Sequence, residues 1–168
     1  MSKAKSAERG WAGERYCMGI DPGANCGIAV WCRVEKRLVW LRTVREPAEL
    51  PGVLAELKTT YGEAGGLWAN VEDSNANALT YLRHQRGTSR AQQMKISRNV
   101  GVNQGLSTMV LALLTANGIP YARHRPTAKW RKWAPDFKND AELFMRSTRW
   151  PERGSEHARD AAMLVFGY

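Results

Sequence analysis

Three short apolar runs lie close together near the start of the chain, at residues 16–20, 27–34 and 38–44. Asp21, Pro22 and Gly23 follow the first, and Glu35, Lys36 and Arg37 separate the second from the third. These are turn residues, in gaps too short for the dozen or more residues of a parallel crossover. The three runs are therefore expected to pair as an antiparallel meander. A helix is predicted from Pro47, because Leu50, Val53, Leu54, Leu57 and Tyr61 recur at helical spacing. A Gly-rich break at 62–66 then leads into a buried strand at 67–71 that ends in Glu72 and Asp73. The helical crossover favours a parallel return of this strand beside the first.

The rest of the chain continues the alternation. Residues 75–95 are mixed, and read as a helix followed by a basic loop around Gly87. Val102, Leu106, Met109, Val110, Leu113 and Leu114 mark a strongly apolar helix that closes at Asn117 and Gly118. A short strand is expected at 119–122. Asn139 is expected to cap a helix running to about Arg149, and Ser155 a last helix to Tyr168. This order predicts an α/β architecture, a mixed five-stranded sheet with helices on both faces. The length of 168 residues fits one domain, 16–168, behind a polar N-terminal tail at 1–15. No apolar run approaches the roughly 20 residues of a membrane span, and no signal-peptide stretch is visible, so a cytoplasmic location is expected, in a bacterium or a phage-infected host. Cys17, Cys26 and Cys32 match no zinc spacing and are expected to be buried thiols.

Charge is distributed unevenly. Residues 74–135 contain no Asp or Glu, while Arg83, Arg86, Arg90, Lys95, Arg98, Arg123, Arg125, Lys129, Arg131 and Lys132 supply ten cations. The remainder holds all 16 acids against 15 bases, so the net charge of +9 arises in this middle stretch. A solvated face accounts for isolated lysines but poorly for 62 acid-free residues. A one-signed surface of this kind suits a phosphate backbone, whose neutralisation releases counterions.

Asp21, in Gly19-Ile20-Asp21-Pro22-Gly23, and Glu72 both close predicted strands, and strand ends are where open α/β sheets place their sites. Near the C-terminus His157 and Asp160 stand three apart, on one face of a helix. Each has an ordinary reading too: a turn residue, a solvated strand end, a helix-start histidine, a surface ion pair. Together, three carboxylates would repel unless a divalent metal neutralised them, and oxygen donors suit Mg²⁺ or Mn²⁺.

With these residues in place, the chain resembles the RuvC-like Holliday junction resolvases of the ribonuclease H-like superfamily. The resemblance runs from Tyr16 to Tyr168 and rests on Gly19-Ile20-Asp21-Pro22-Gly23, on Val71-Glu72, and on His157-Ala158-Arg159-Asp160-Ala161-Ala162. It implies a ribonuclease H-like fold and a metal site of Asp21, Glu72, His157 and Asp160 holding two Mg²⁺ ions, with Mn²⁺ able to substitute. It further implies a homodimer that nicks opposed strands of four-way DNA, leaving 5′-phosphates. The apolar helix at 102–114 is similar in position to the family's dimer helix. Lys129 looks like its active-site lysine and Lys138 like a second. The expected DNA-binding set is Arg83, Arg86, Arg90, Lys95, Arg98, Arg125, Lys129, Arg131, Lys132 and Lys138. His157 is left open as ligand or proton carrier.

Two departures stand out. Where many relatives carry an aromatic residue three places after the strand-terminal Glu, this chain has Asn75, and 81–95 is longer and more basic than in cellular relatives. The sequence also stops directly after the last expected helix, and compactness of this sort is similar to phage members, some of which accept broader branched DNA. Actin-like ATPases and sugar kinases can share Gly-Ile-Asp followed by glycine, but they need two domains and a second phosphate loop. A broader branched-DNA or fork nuclease, and a non-catalytic junction binder, are the other readings of the same residues.

Overall fold

The computed structural model describes residues 13–76, 87, 89–126 and 140–168. The meander forms as expected: β1 (Tyr16–Asp21), β2 (Cys26–Cys32) and β3 (Arg37–Val44) pair antiparallel, with a bulge between Val30 and Trp31. A 3-10 turn at Pro47–Glu49 opens into α1 (Leu50–Leu57), which widens into a π turn at Lys58–Gly62. The crossover returns the chain to β4 (Leu67–Glu72), parallel to β1 with Tyr16 opposite Leu67 and Ile20 opposite Val71. Helix α2 (Arg90–Ala116) leads to β5 (Tyr121–His124), parallel to β4 on its other side. The sheet order is β3-β2-β1-β4-β5, and α3 (Ala141–Thr148) and α4 (Glu156–Met163) follow β5. Arg15, last residue of the expected tail, already hydrogen-bonds Gly65 O through its backbone N–H at 2.9 Å.

Several boundaries differ from expectation, four of them for a clear local reason. Helix α2 starts at Arg90 because Ser89 Oγ accepts from Gln92 N while Gln92 Oε1 accepts from Ser89 N, a reciprocal cap that the polar first half of the helix conceals. Strand β5 starts two residues late because Gly118, at φ 61°, turns the chain in the left-handed region and Ile119 N–H still bonds Leu114 O. Asp140 caps α3, accepting from Glu142 N and Leu143 N; Asn139 lies outside the described residues. Helix α4 stops at Met163, and the following turns bring Tyr168 O to Trp31 Nε1 at 3.0 Å.

The two-residue repeat of each strand divides the core. Met18, Ile20, Ile28, Val30 and Val71 pack with Leu54 and Leu57 of α1 and Val110 and Leu114 of α2. On the opposite face Cys17, Ala29, Trp31 and Trp68 pack with Phe144 of α3 and Ala161 and Leu164 of α4 and its cap. All three cysteines are buried free thiols.

Backbone lies directly on backbone where α4 crosses the sheet. A methyl group on Gly19 would fall 2.0 Å from Ala161 O, and one on Gly27 1.9 Å from His157 O. Only hydrogen at these positions permits the approach.

Beyond β4 the chain is held by Asp73, wholly buried. Its carboxylate accepts from Asn75 N at 3.0 Å and from Arg123 Nε at 2.7 Å, with Arg123 Nη2 alongside, and its own N–H donates to His124 O at 2.7 Å. Asn75 Nδ2 also donates to Gln104 O of α2 at 3.1 Å. One carboxylate thus joins β4, β5 and the approach to α2.

Gly19→Ala and Gly27→Ala should each destabilise by about 3 kcal/mol, since the helix must move away from the sheet, whereas Gly101→Ala, mid-helix with nothing within 4 Å, should stabilise by about 0.5–1 kcal/mol. Urea unfolding separates the two classes. In the same assay Asp73→Ala should cost about 3 kcal/mol, and adding Arg123→Met should cost less than the sum of the two single changes, because each has lost the other's partner.

Candidate active site

Asp21 closes β1 on the face of Cys17 and Gly19, which is the α4 face. Glu72 closes β4 on the face of Trp68 and Asn70, again the α4 face. Because Ile20 pairs with Val71 in a parallel ladder, Asp21 and Glu72 are the next step of that ladder, side by side at the carboxyl ends of both strands. The β1–β2 turn also begins here, with Asp21 paired to Gly27.

Helix α4 crosses the same end of the same face. The glycine contacts put His157 over Gly27, the partner of Asp21, and Ala161 over Gly19, two residues before Asp21. Asp160 precedes Ala161 and is therefore carried over the β1 end as well. The Ser155 hydroxyl caps the helix through Ala158 N at 3.2 Å and bonds the Thr43 hydroxyl of β3, tying down the helix start. His157 Nε2 lies 3.4 Å from Asn25 Nδ2 in the β1–β2 turn. Asp21, Glu72, His157 and Asp160 are all half-buried.

The four sequence-predicted residues are thus brought to one sheet end as two pairs, Asp21 with Glu72 on the strands and His157 with Asp160 on the helix. Among the described residues, no three His, Cys, Asp or Glu side chains are gathered closely enough to hold one ion. Burial, and then the nearby Asp21 carboxylate, push the Cys26 thiol up to about 12.

Of the expected DNA-binding residues, Arg90, Lys95 and Arg98 are exposed on the first half of α2, and Arg125 is exposed after β5. Asn103 of α2 faces Gly23, just past Asp21, with its Oδ1 3.7 Å from where a Gly23 methyl would sit. From there back to Arg90 the helix runs about 20 Å, so the cationic half starts at the site and leads away from it. Arg83, Arg86, Lys129, Arg131, Lys132 and Lys138 lie outside the described residues.

Two residues beside the site escape sequence reasoning. Asn70, on the Glu72 face of β4, donates to Leu164 O at 3.0 Å and lies 3.0 Å from His124 Nε2 through Oδ1. His124 is aligned with Glu72 in the β4–β5 ladder, and burial holds its pKa below the usual imidazole range. The signal for Asn70 was present, a single amide inside the apolar run Leu67-Trp68-Ala69-Asn70-Val71. His124 carried none, since the expected strand stopped short of it.

No protein-family model and no curated protein matches the chain. Solved structures do. The chain is similar to Thermus thermophilus RuvC in complex with Holliday junction substrate, at 21% identity over 91% of both chains with a TM-score of 0.56. It is also similar to a structure of Thermus thermophilus RuvC, at 17% identity over 90% of this chain and 91% of that one, with a TM-score of 0.52. Among the described residues no helix is long and apolar enough to cross a membrane. The five-stranded mixed sheet with helices on both faces is a RuvC-like, ribonuclease H-like fold.

Proposed function

We propose that this chain is a crossover junction endodeoxyribonuclease, a Holliday junction resolvase that nicks opposed strands of four-way DNA by metal-dependent hydrolysis during recombination or repair. The observation that carries the reading is the meeting of Asp21 and Glu72 at adjacent parallel strand ends, with α4 laying His157 and Asp160 over the same end. The likeness to a RuvC bound to a junction supports the substrate class.

The donor set fits a divalent metal. Three carboxylates and an imidazole offer hard oxygen and nitrogen atoms, and Mg²⁺ characteristically takes one or two carboxylates and completes its shell with water and substrate phosphate. Paired donors therefore suffice where a closed protein cage is missing. Asp21 and Glu72 would hold one ion, and Asp160 with His157 would hold or orient around a second. When bound, such ions supply an activated water and charge stabilisation at the leaving oxygen. The chain's own residues position the scissile phosphate. Arg90, Lys95 and Arg98 of α2 and Arg125 draw the backbone toward the strand ends, and Lys129 and Lys138 offset charge on the phosphate. His157, oriented by Asn25, is a ligand or moves the proton.

A second copy of the chain would pack on α2. Met94 and Val102 are 66% and 46% exposed there, and half-buried Leu106 follows Val102 one turn on. A homodimer places two sites against one junction. A second reading of substrate range comes from Asn75, whose amide is committed to Asp73 and Gln104 at the position where an aromatic wedge would stand. That favours action on several branched forms.

With Mg²⁺, wild-type protein should cut labelled four-way DNA, and Asp21→Asn should lose at least about 100-fold in rate while still binding the junction. Equal cutting by the variant would remove the proposed site, and three-way and linear arms set the substrate range. Junction affinity should fall about 10³-fold between 50 and 200 mM salt. Val102→Glu should give monomers by light scattering, where Leu113, packed against the core, is a poorer choice. An unchanged dimer would place the interface elsewhere.

A further inference from the structure

We infer that Asn70 and His124 form a positioning pair that sets the distance between the strand half of the site, Asp21 and Glu72, and its helix half, His157 and Asp160. The inference rests on the nuclease reading above for what the site does. Its geometry is independent of that reading.

Asn70 is 1% exposed, in the middle of a strand where an apolar residue would pack as readily. Its amide orientation follows from its partners. Leu164 O, 3.0 Å away, can only accept, so the NH₂ group faces it and Oδ1 faces the imidazole of His124. The carbonyl in turn can only accept, so His124 carries its proton on Nε2 and donates it at 3.0 Å. Every link in this chain has a single workable direction.

The position of these bonds gives them their consequence. Leu164 caps α4 and lies four residues, about one turn, beyond Asp160. Asn70 lies two residues before Glu72 on the same face, and His124 is the residue aligned with Glu72 on the neighbouring strand. One carboxamide thus fastens the end of the helix that carries Asp160 to β4, which carries Glu72, and to the neighbouring β5. Helix α4 rests on Gly27 through His157 and on Gly19 through Ala161, glycines whose missing side chains allow close approach but leave no knob to stop sliding. Its start is held on β3 through Ser155 and Thr43. The Asn70 bond to Leu164 is the corresponding tie at the β4 end.

Partners of this kind, bonded behind metal-holding residues, typically change metal affinity or activity by about 10–100-fold when removed. The test compares wild type with Asn70→Leu, His124→Leu and His124→Gln, the last keeping an N–H at the reach of Nε2. Mn²⁺ binding without DNA is measured by calorimetry, and junction affinity without metal by fluorescence anisotropy. Melting temperature and the Mg²⁺ dependence of kcat and KM complete the set. Expected are an about 10-fold weaker Mn²⁺ affinity and an about 10-fold lower kcat in both Leu variants, unchanged KM and metal-free junction affinity, and near wild-type values in His124→Gln. Because His124 is half-buried on the edge strand, its two variants keep the comparison available if Asn70→Leu does not fold. Leu variants that match wild type in metal affinity and kcat, or a His124→Gln as defective as His124→Leu, overturn the positioning pair while the nuclease reading stands. Wild-type protein that neither binds Mn²⁺ nor cuts DNA overturns that reading, and this inference with it.

Discussion

The arrangement of this molecule depends on one contact made without side chains, the seating of α4 on Gly19 of β1 and Gly27 of β2. Protein layers normally stand apart by the width of two sets of side chains; here one set is missing and helix carbonyls touch the sheet. This brings the first turns of α4 within side-chain reach of the β1 end. The same two residues therefore serve packing and site assembly at once. Glycine at position 19 also explains why Asp21 sits in a Gly-Ile-Asp setting, since the residue two before it on the same face must have no side chain.

Around that contact the polar groups divide into two kinds. Asp73, Arg123 and Asn75 on one side, and Asn70, His124 and Leu164 O on the other, form networks that fix elements to one another. Glu72 lies between them in sequence, half-buried at the strand end. The adjacency of Glu72 and Asp73 is thus a division of labour imposed by the pleat, which sends successive side chains to opposite faces. Asp73 falls on the α2 side and becomes a buried clamp; Glu72 falls on the α4 side beside Asp21.

Charge organisation follows the same geometry. The acid-free stretch includes α2, whose second half is core and whose first half is exposed and cationic. A single helix thereby links the hydrophobic interior to a surface suited to phosphate. The apolar residues that α2 leaves exposed, Met94 and Val102, lie on that same projecting half.

Much of this was legible from the order of residues. Period-two and helical repeats are local properties, so the meander, the crossover helix, β4 and the strand-terminal placement of Asp21 and Glu72 could be read before any tertiary contact was known. The acid-free block and the Ser155 cap were equally local. The start of α2 was missed because its first half buries little and carries no apolar repeat; its cap is a Ser–Gln exchange that many loops also contain. The role of Asp73 was hidden because its partner Arg123 is fifty residues away on β5. Asn70 and His124 were hidden because their meaning lies in bonds across three elements. The sequence by itself determined which residues end strands and which share a helix face, since backbone sterics and side-chain period settle those over a few residues. Only the tertiary structure decided which ends meet, because register, the glycine-mediated approach of α4 and the pairing of buried polar groups depend on contacts between segments that the chain order leaves far apart.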